Sequence, residues 1–240
     1  TLSAWRAGSV WDRGRLMSGT MPSRRAALRL SIMTAGAALA GCLGGSDEAG
    51  LTQLDPPAAC ADAAAAPDVA LSTPQLGDPD APVVMDVYED FACGHCRTYT
   101  EEVFPTIQRR YIDPGRLRYR YHDYPIPVSE WSYRIASAAR AVQAMADETR
   151  FFAFVSAVFR EQSRFREQGL EAVEDAATAV GIDPCPPAIA AATDQYRAVV
   201  DASRTDAAAI GVDRTPMIFI DGTPLADYRL STVEAALTGT

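Results

Sequence analysis

Pro82-Val83-Val84-Met85-Asp86-Val87-Tyr88 runs without a break into Glu89-Asp90-Phe91-Ala92-Cys93-Gly94-His95-Cys96. The first half is rich in β-branched residues and predicts a buried strand. After Cys96, Tyr99, Val103, Phe104 and Ile107 recur at the spacing of one helix face. The two cysteines therefore fall where a strand closes and a helix opens. Unpaired N–H groups and the macrodipole at a helix N-terminus stabilise a thiolate at Cys93. The thiolate is the species that attacks disulfides and departs from them. Cys96 is placed to resolve a mixed disulfide. His95, between the sulfurs, is placed to add positive charge or a hydrogen bond to the thiolate, which would make the disulfide a stronger oxidant. A structural zinc site needs two more ligands. No second Cys-x-x-Cys exists, and Cys60, Cys185 and His122 are scattered. A purely structural disulfide over so short a loop would constrain the denatured chain little. The expectation is redox chemistry with no metal and no cofactor beyond the cysteine pair.

Toward the C-terminus, Pro114-Gly115 signals a turn, and Leu117, Tyr119 and Tyr121 alternate as a second strand should. Residues from Ser129 to about Ile210 read as helices. One runs through Ile135, Ala139 and Val142, and one through Phe151 to Phe159. A third covers Leu170 to Val180 and stops at Gly181, and a fourth follows Pro187. Thr215-Pro216-Met217-Ile218-Phe219-Ile220 returns to strand, and Asp221-Gly222 predicts a tight hairpin into Thr223-Pro224-Leu225. Ser231 is expected to cap a last helix through Val233 and Leu237. The pattern is a mixed α/β domain with a helical insertion at about 128–210.

These residues resemble a DsbA-like member of the thioredoxin superfamily. The resemblance rests on Asp90-Phe91-Ala92-Cys93-Gly94-His95-Cys96, on Tyr121-His122-Asp123-Tyr124-Pro125, and on Gly211-Val212-Asp213-Arg214-Thr215-Pro216. It covers roughly Pro82 to Leu237. It implies a thioredoxin-like fold with the helical insertion between the second strand and the cis-Pro strand. Cys93 would be the nucleophile, Cys96 the resolving thiol and Pro216 a cis-proline opposite them, with the Thr215 backbone open to pair with an extended substrate segment. One position departs from the pattern. Many thioredoxin-fold enzymes carry a buried acid six residues before the first cysteine, where this chain has Val87. Asp86 should face the other side of the strand. Proton transfer is then left to a re-aimed Asp86, to Glu89, to water or to no dedicated group.

Toward the N-terminus the composition changes. The chain has 240 residues, 22 Lys plus Arg against 31 Asp plus Glu, a net charge of −9, and no lysine. That acidity argues against nucleic-acid binding, which needs a concentrated basic surface. Residues 1–41 nevertheless sum to +5 and include an uncharged run from Leu30 to Leu43, the layout of an export signal. Fourteen uncharged residues are too few to span a bilayer as a helix. Ser23-Arg24-Arg25 resembles a twin-arginine signal, and Leu39-Ala40-Gly41-Cys42 a lipoprotein box with Cys42 as the lipid-bearing first mature residue. Residues 1–20 read as sequence upstream of a start at Met21. From Cys42 to Asp80 the chain is acidic and rich in Ala, Pro and Gly. It reads as a lipid-anchored disordered tether ahead of a domain at 81–240. Cys60 and Cys185 are an even remainder in an exported chain. They are read as a structural disulfide, with two free thiols or a second exchanging pair as alternatives.

The functional expectation is an extracytoplasmic thiol–disulfide oxidoreductase, held by lipid to the outer face of the cell membrane. It would exchange with thiols and disulfides of protein substrates, as an oxidase or isomerase, and be recycled by a separate redox partner. The alternative is a lipid-anchored carrier of copper or of a client peptide, with Cys93 and Cys96 as soft ligands and His95 or His122 as the third.

Overall fold

The computed structural model of the chain describes residues 52–126 and 128–239. The expected leader, and the lipid-bearing Cys42, lie outside the described residues.

The expected first strand is β2 (Val83–Glu89), the centre of a five-stranded sheet whose strands lie in the order β1 (Gln75–Leu76), β3 (Leu117–Asp123), β2, β4 (Met217–Ile220) and β5 (Thr223–Pro224). Its central position follows from burial on both faces. Met85, Val87 and Glu89 face one helical layer, while Asp86 and Tyr88 face the other, and all five are buried. β3 (Leu117–Asp123) pairs parallel with β2, setting Val87 opposite Tyr121. β4 (Met217–Ile220) pairs antiparallel on the other side, with Val87 opposite Ile218. β4 turns into β5 (Thr223–Pro224) through Asp221 (φ 47°) and Gly222 (φ 77°). Both central residues take the positive φ that a type I′ hairpin requires. The Asp221 carboxylate also accepts the Val84 N–H at 2.8 Å, fixing the hairpin to β2.

Between β2 and β3 the chain runs as α1 (Gly94–Thr98), a wide π turn at Tyr99–Val103, α2 (Phe104–Ile107) and a second π turn at Gln108–Ile112. Pro105 lacks an N–H and crowds the preceding turn, which accounts for the first widening. Tyr99, Val103, Phe104 and Ile107 are all buried, as their spacing requires.

The insertion comprises α3 (Trp131–Met145), α4 (Glu148–Arg160), α5 (Phe165–Ala179), α6 (Cys185–Thr193) and α7 (Arg197–Ala209). The expected fourth helix is two. Asp194 adopts the left-handed conformation after Thr193, and the Tyr196 N–H leaves the helix to bond the Ser137 hydroxyl at 2.8 Å. Ser231 is not the cap of α8 (Leu230–Thr238), which starts one residue earlier. Its first turn closes through the Val233 N–H to the Arg229 carbonyl.

The main correction concerns the tether. Its described part, 52–80, is laid on the domain. β1 (Gln75–Leu76) pairs antiparallel with β3, and Cys60 and Ala66 are buried. Side chains of the insertion donate to carbonyls of this arm: Arg134 to Thr52, Gln195 to Ala66, Tyr196 to Pro67 and Gln143 to Ser72. Cys60 and Cys185 are joined in a disulfide that closes 125 residues. Composition shows only that the segment cannot fold alone. It borrows its apolar partners and its donors from α3 and α6 and from the turn that follows α6.

Candidate active site

Cys93 is the N-cap of α1, in extended conformation (φ −82°, ψ 120°). Asp90 builds the turn that places it there. One carboxylate oxygen accepts the Ala92 N–H, the other accepts the Ile126 N–H, each at 2.7 Å, and the Asp90 carbonyl accepts the Cys93 N–H at 3.0 Å. From the insertion, the Gln162 amide donates to the carbonyls of Phe91 at 2.8 Å and Cys93 at 2.9 Å. From the opposite side, the Thr215–Pro216 bond is cis, and the Cys93 thiol donates to the Thr215 carbonyl at 3.5 Å. Sequence-distant residues thus converge on one sulfur.

Both thiols are free in this structure, and their surroundings differ. Cys93 retains 8% exposure while Cys96 has none. The Cys93 thiol is pulled down to about 5. The largest cause is a hydrogen bond from the Cys96 thiol, working against burial; the Thr215 hydroxyl and the Cys96 and His95 N–H groups assist. Burial pushes Cys96 well above the ordinary thiol range. Its bond to Cys93 and the facing Glu89 push it the same way, against the Asp90 N–H that points at its sulfur from 3.4 Å. One sulfur, slightly exposed, ionises readily, and the other, fully buried, holds its proton.

Glu89 is the buried acid on the cysteine side of β2. It is 2% exposed, accepts a bond from the Thr100 hydroxyl at 3.1 Å, and is pushed up to about 8, chiefly by burial. Asp86 is not re-aimed. It faces the other layer, where Arg120 binds it at 2.7 and 2.6 Å and His122 at 2.7 Å, with His122 stacked on Tyr88. The His95 imidazole is engaged by a residue the sequence did not single out: its Nδ1 lies 2.9 Å from the Tyr228 hydroxyl. Gln162 and Thr100 were likewise not singled out. Glu89 shares the parity of Val87 along the strand, which is the signal that could have assigned it. No local pattern marks Gln162 or Tyr228, because each reaches the motif only through the tertiary fold. Among the described residues no group of three or more His, Cys, Asp or Glu stands at metal-binding spacing.

A family model described as Thioredoxin matches residues 70–238. The chain belongs to the thioredoxin family. Within that family it is 32% identical over 100 residues to a "Probable disulfide bond formation protein D" of Bacillus anthracis. That alignment covers 41% of this chain and 45% of the relative, so the chain spans under half the length of the curated relative it matches. In three dimensions it is similar to oxidised BdbD from Bacillus subtilis, with a TM-score of 0.63, 18% identity, and coverage of 78% of this chain and 96% of that one. Alpha-DsbA1 of Wolbachia pipientis gives a TM-score of 0.62 at 20% identity, covering 70% and 89%. At such identities the likeness establishes the thioredoxin-like fold with its helical insertion. The chemistry must be argued from the cysteines.

Proposed function

We propose that this chain is a thiol–disulfide oxidoreductase acting on protein substrates outside the cytoplasm, with net exchange toward substrate oxidation. The observation that carries this reading is the asymmetry of the pair: a low-lying thiolate at Cys93 above a buried Cys96 that keeps its proton. A client thiolate attacks Cys93 of the oxidised pair. Its S–S bond to Cys96 breaks, and Cys96 departs as a thiolate that takes up a proton. Glu89, protonated at neutral pH and facing that sulfur, is placed to supply it. A second client thiolate then attacks the client sulfur of the mixed disulfide. The client leaves as a disulfide, and Cys93 departs as its stabilised thiolate. Two electrons pass from the client dithiol to the cysteine pair. A separate redox partner must remove them, and rebinding of a wrongly paired client would allow isomerisation.

The relatives named for disulfide formation support this reading. The carrier alternative has no such support: among the described residues no third His, Cys, Asp or Glu is grouped with the sulfurs as a metal ligand. The basic, apolar-cored leader and Cys42 support export and lipid attachment. A Cys96→Ala variant tests the reaction. With Cys93 first converted to its mixed disulfide with glutathione, it is expected to form mixed disulfides with reduced client proteins as a client thiolate attacks Cys93 and glutathione leaves as the thiol, detected by non-reducing electrophoresis and released by dithiothreitol. Failure of the glutathione-charged variant to form conjugates with reduced, unfolded clients would sink the proposal.

A further inference from the structure

We propose that Gln162 is a positioning residue for the exchange reaction, holding the Phe91 and Cys93 carbonyls so that the first N–H groups of α1 stay aimed at the Cys93 sulfur. This rests on the functional reading above and extends it to a residue of the insertion.

Gln162 opens the tight turn Gln162–Arg164 between α4 and α5, 69 residues from Cys93. Its carboxamide makes two bonds of normal length, 2.8 and 2.9 Å, to carbonyls on either side of Ala92. The Cys93 carbonyl also accepts the Arg97 N–H, at 3.2 Å. That helical bond alone would fix the start of α1, but not the turn leading into it. The Gln162 bonds clamp the turn at both ends.

Two physical effects follow. The clamp holds the backbone of an N-cap residue whose following N–H groups solvate the sulfur. It also satisfies two carbonyl oxygens near the sulfur with a neutral donor, blunting their negative ends without adding a charge. The titratable groups facing Cys93 come from other elements: Glu89 on β2, Asp90 in the turn, and Cys96 on α1. His95 is held by Tyr228. None of these is altered by replacing Gln162. The amide also borders a cleft of about 420 Å³ shared with Ala92, Val128 and Phe165, so a change of similar volume is accommodated there.

The test is the pH profile of Cys93 alkylation by iodoacetamide in the fully reduced chain, read by mass spectrometry. The variants are Gln162→Met and Gln162→Glu, both close in size and both losing the neutral double donor. Gln143→Met is the control, since Gln143 makes a comparable bond to the Ser72 carbonyl away from the cysteines. The expected result is a midpoint displaced upward in both Gln162 variants, with alkylation at the wild-type midpoint about three- to tenfold slower, and an unmoved profile in Gln143→Met. Profiles of both Gln162 variants superimposed on a low wild-type midpoint would overturn this inference alone. So would an equal displacement in Gln143→Met, which would mark a merely structural effect. A wild-type midpoint in the ordinary thiol range would overturn the functional reading and this inference with it.

Discussion

At the scale of single residues, chemistry is divided by burial. Cys93 and Cys96 are three positions apart, yet one sits where N–H groups and a neighbouring thiol welcome negative charge, while the other is sealed from water. Glu89 adds a buried carboxyl that holds its proton at neutral pH. Its folded pKa of about 8 lies above the unfolded value near 4.5, so the wild type binds more protons folded than unfolded across that window. It therefore loses stability as pH rises through it. Glu89→Gln removes the ionisable group and keeps an acceptor for Thr100. In urea titrations its stability advantage over wild type is expected to be small near pH 4.5 and to grow by at most about 1.4 kcal/mol per pH unit up to pH 8. An advantage that stays flat with pH would show that Glu89 does not carry its proton into this range. The motif cysteines and the Thr215-Pro216 loop were legible from sequence because their residue types are rare at that spacing. The clamp by Gln162 and the contact of Tyr228 with His95 were not, since a glutamine or tyrosine far along the chain carries no local mark of what it touches.

At the scale of elements, the order strand, helix, strand, helical block, hairpin, helix follows from periodicity. The differences lie where tertiary contacts decide. Asp194 breaks a helical pattern where Ser137 offers the Tyr196 N–H a partner, and a two-residue β1 has no period to read. Close packing between α3 and α5 has a similar origin. Gly169 is buried on α5, and a Cβ there would stand 2.3 Å from the Trp131 ring of α3. Gly169 directly follows Gln168, whose non-helical backbone (φ −139°, ψ 39°) kinks α5, and the ring leaves no room there for an alanine Cβ. Gly169→Ala is expected to destabilise the chain by about 1–3 kcal/mol, lowering Tm by roughly 2–4 °C for each kcal/mol. The alkylation profile of Cys93 should be unchanged. A Tm equal to or above that of wild type would contradict this account of the α3–α5 contact.

At the scale of the whole molecule, charge and composition divide the chain into a basic leader, an acidic segment and an acidic domain, and within the described residues the last two meet earlier than expected. The arm from Thr52 to Asp80 reads as tether because it is poor in large apolar residues, yet Arg134, Gln143, Gln195 and Tyr196 reach out to its carbonyls and the Cys60–Cys185 disulfide joins it to the insertion. The domain thus starts well before the strand that announces it, and the redox pair is framed by elements from both of its halves. What unites them is a preference for the reduced pair. Lowering the first thiol from thioredoxin's value near 7 to about 5 favours reduction at neutral pH by on the order of 50 mV. The reduction potential of Cys93–Cys96, measured by equilibration with glutathione, tests that preference most directly. The account predicts a value less negative than about −220 mV; a value near thioredoxin's, about −270 mV, would contradict it.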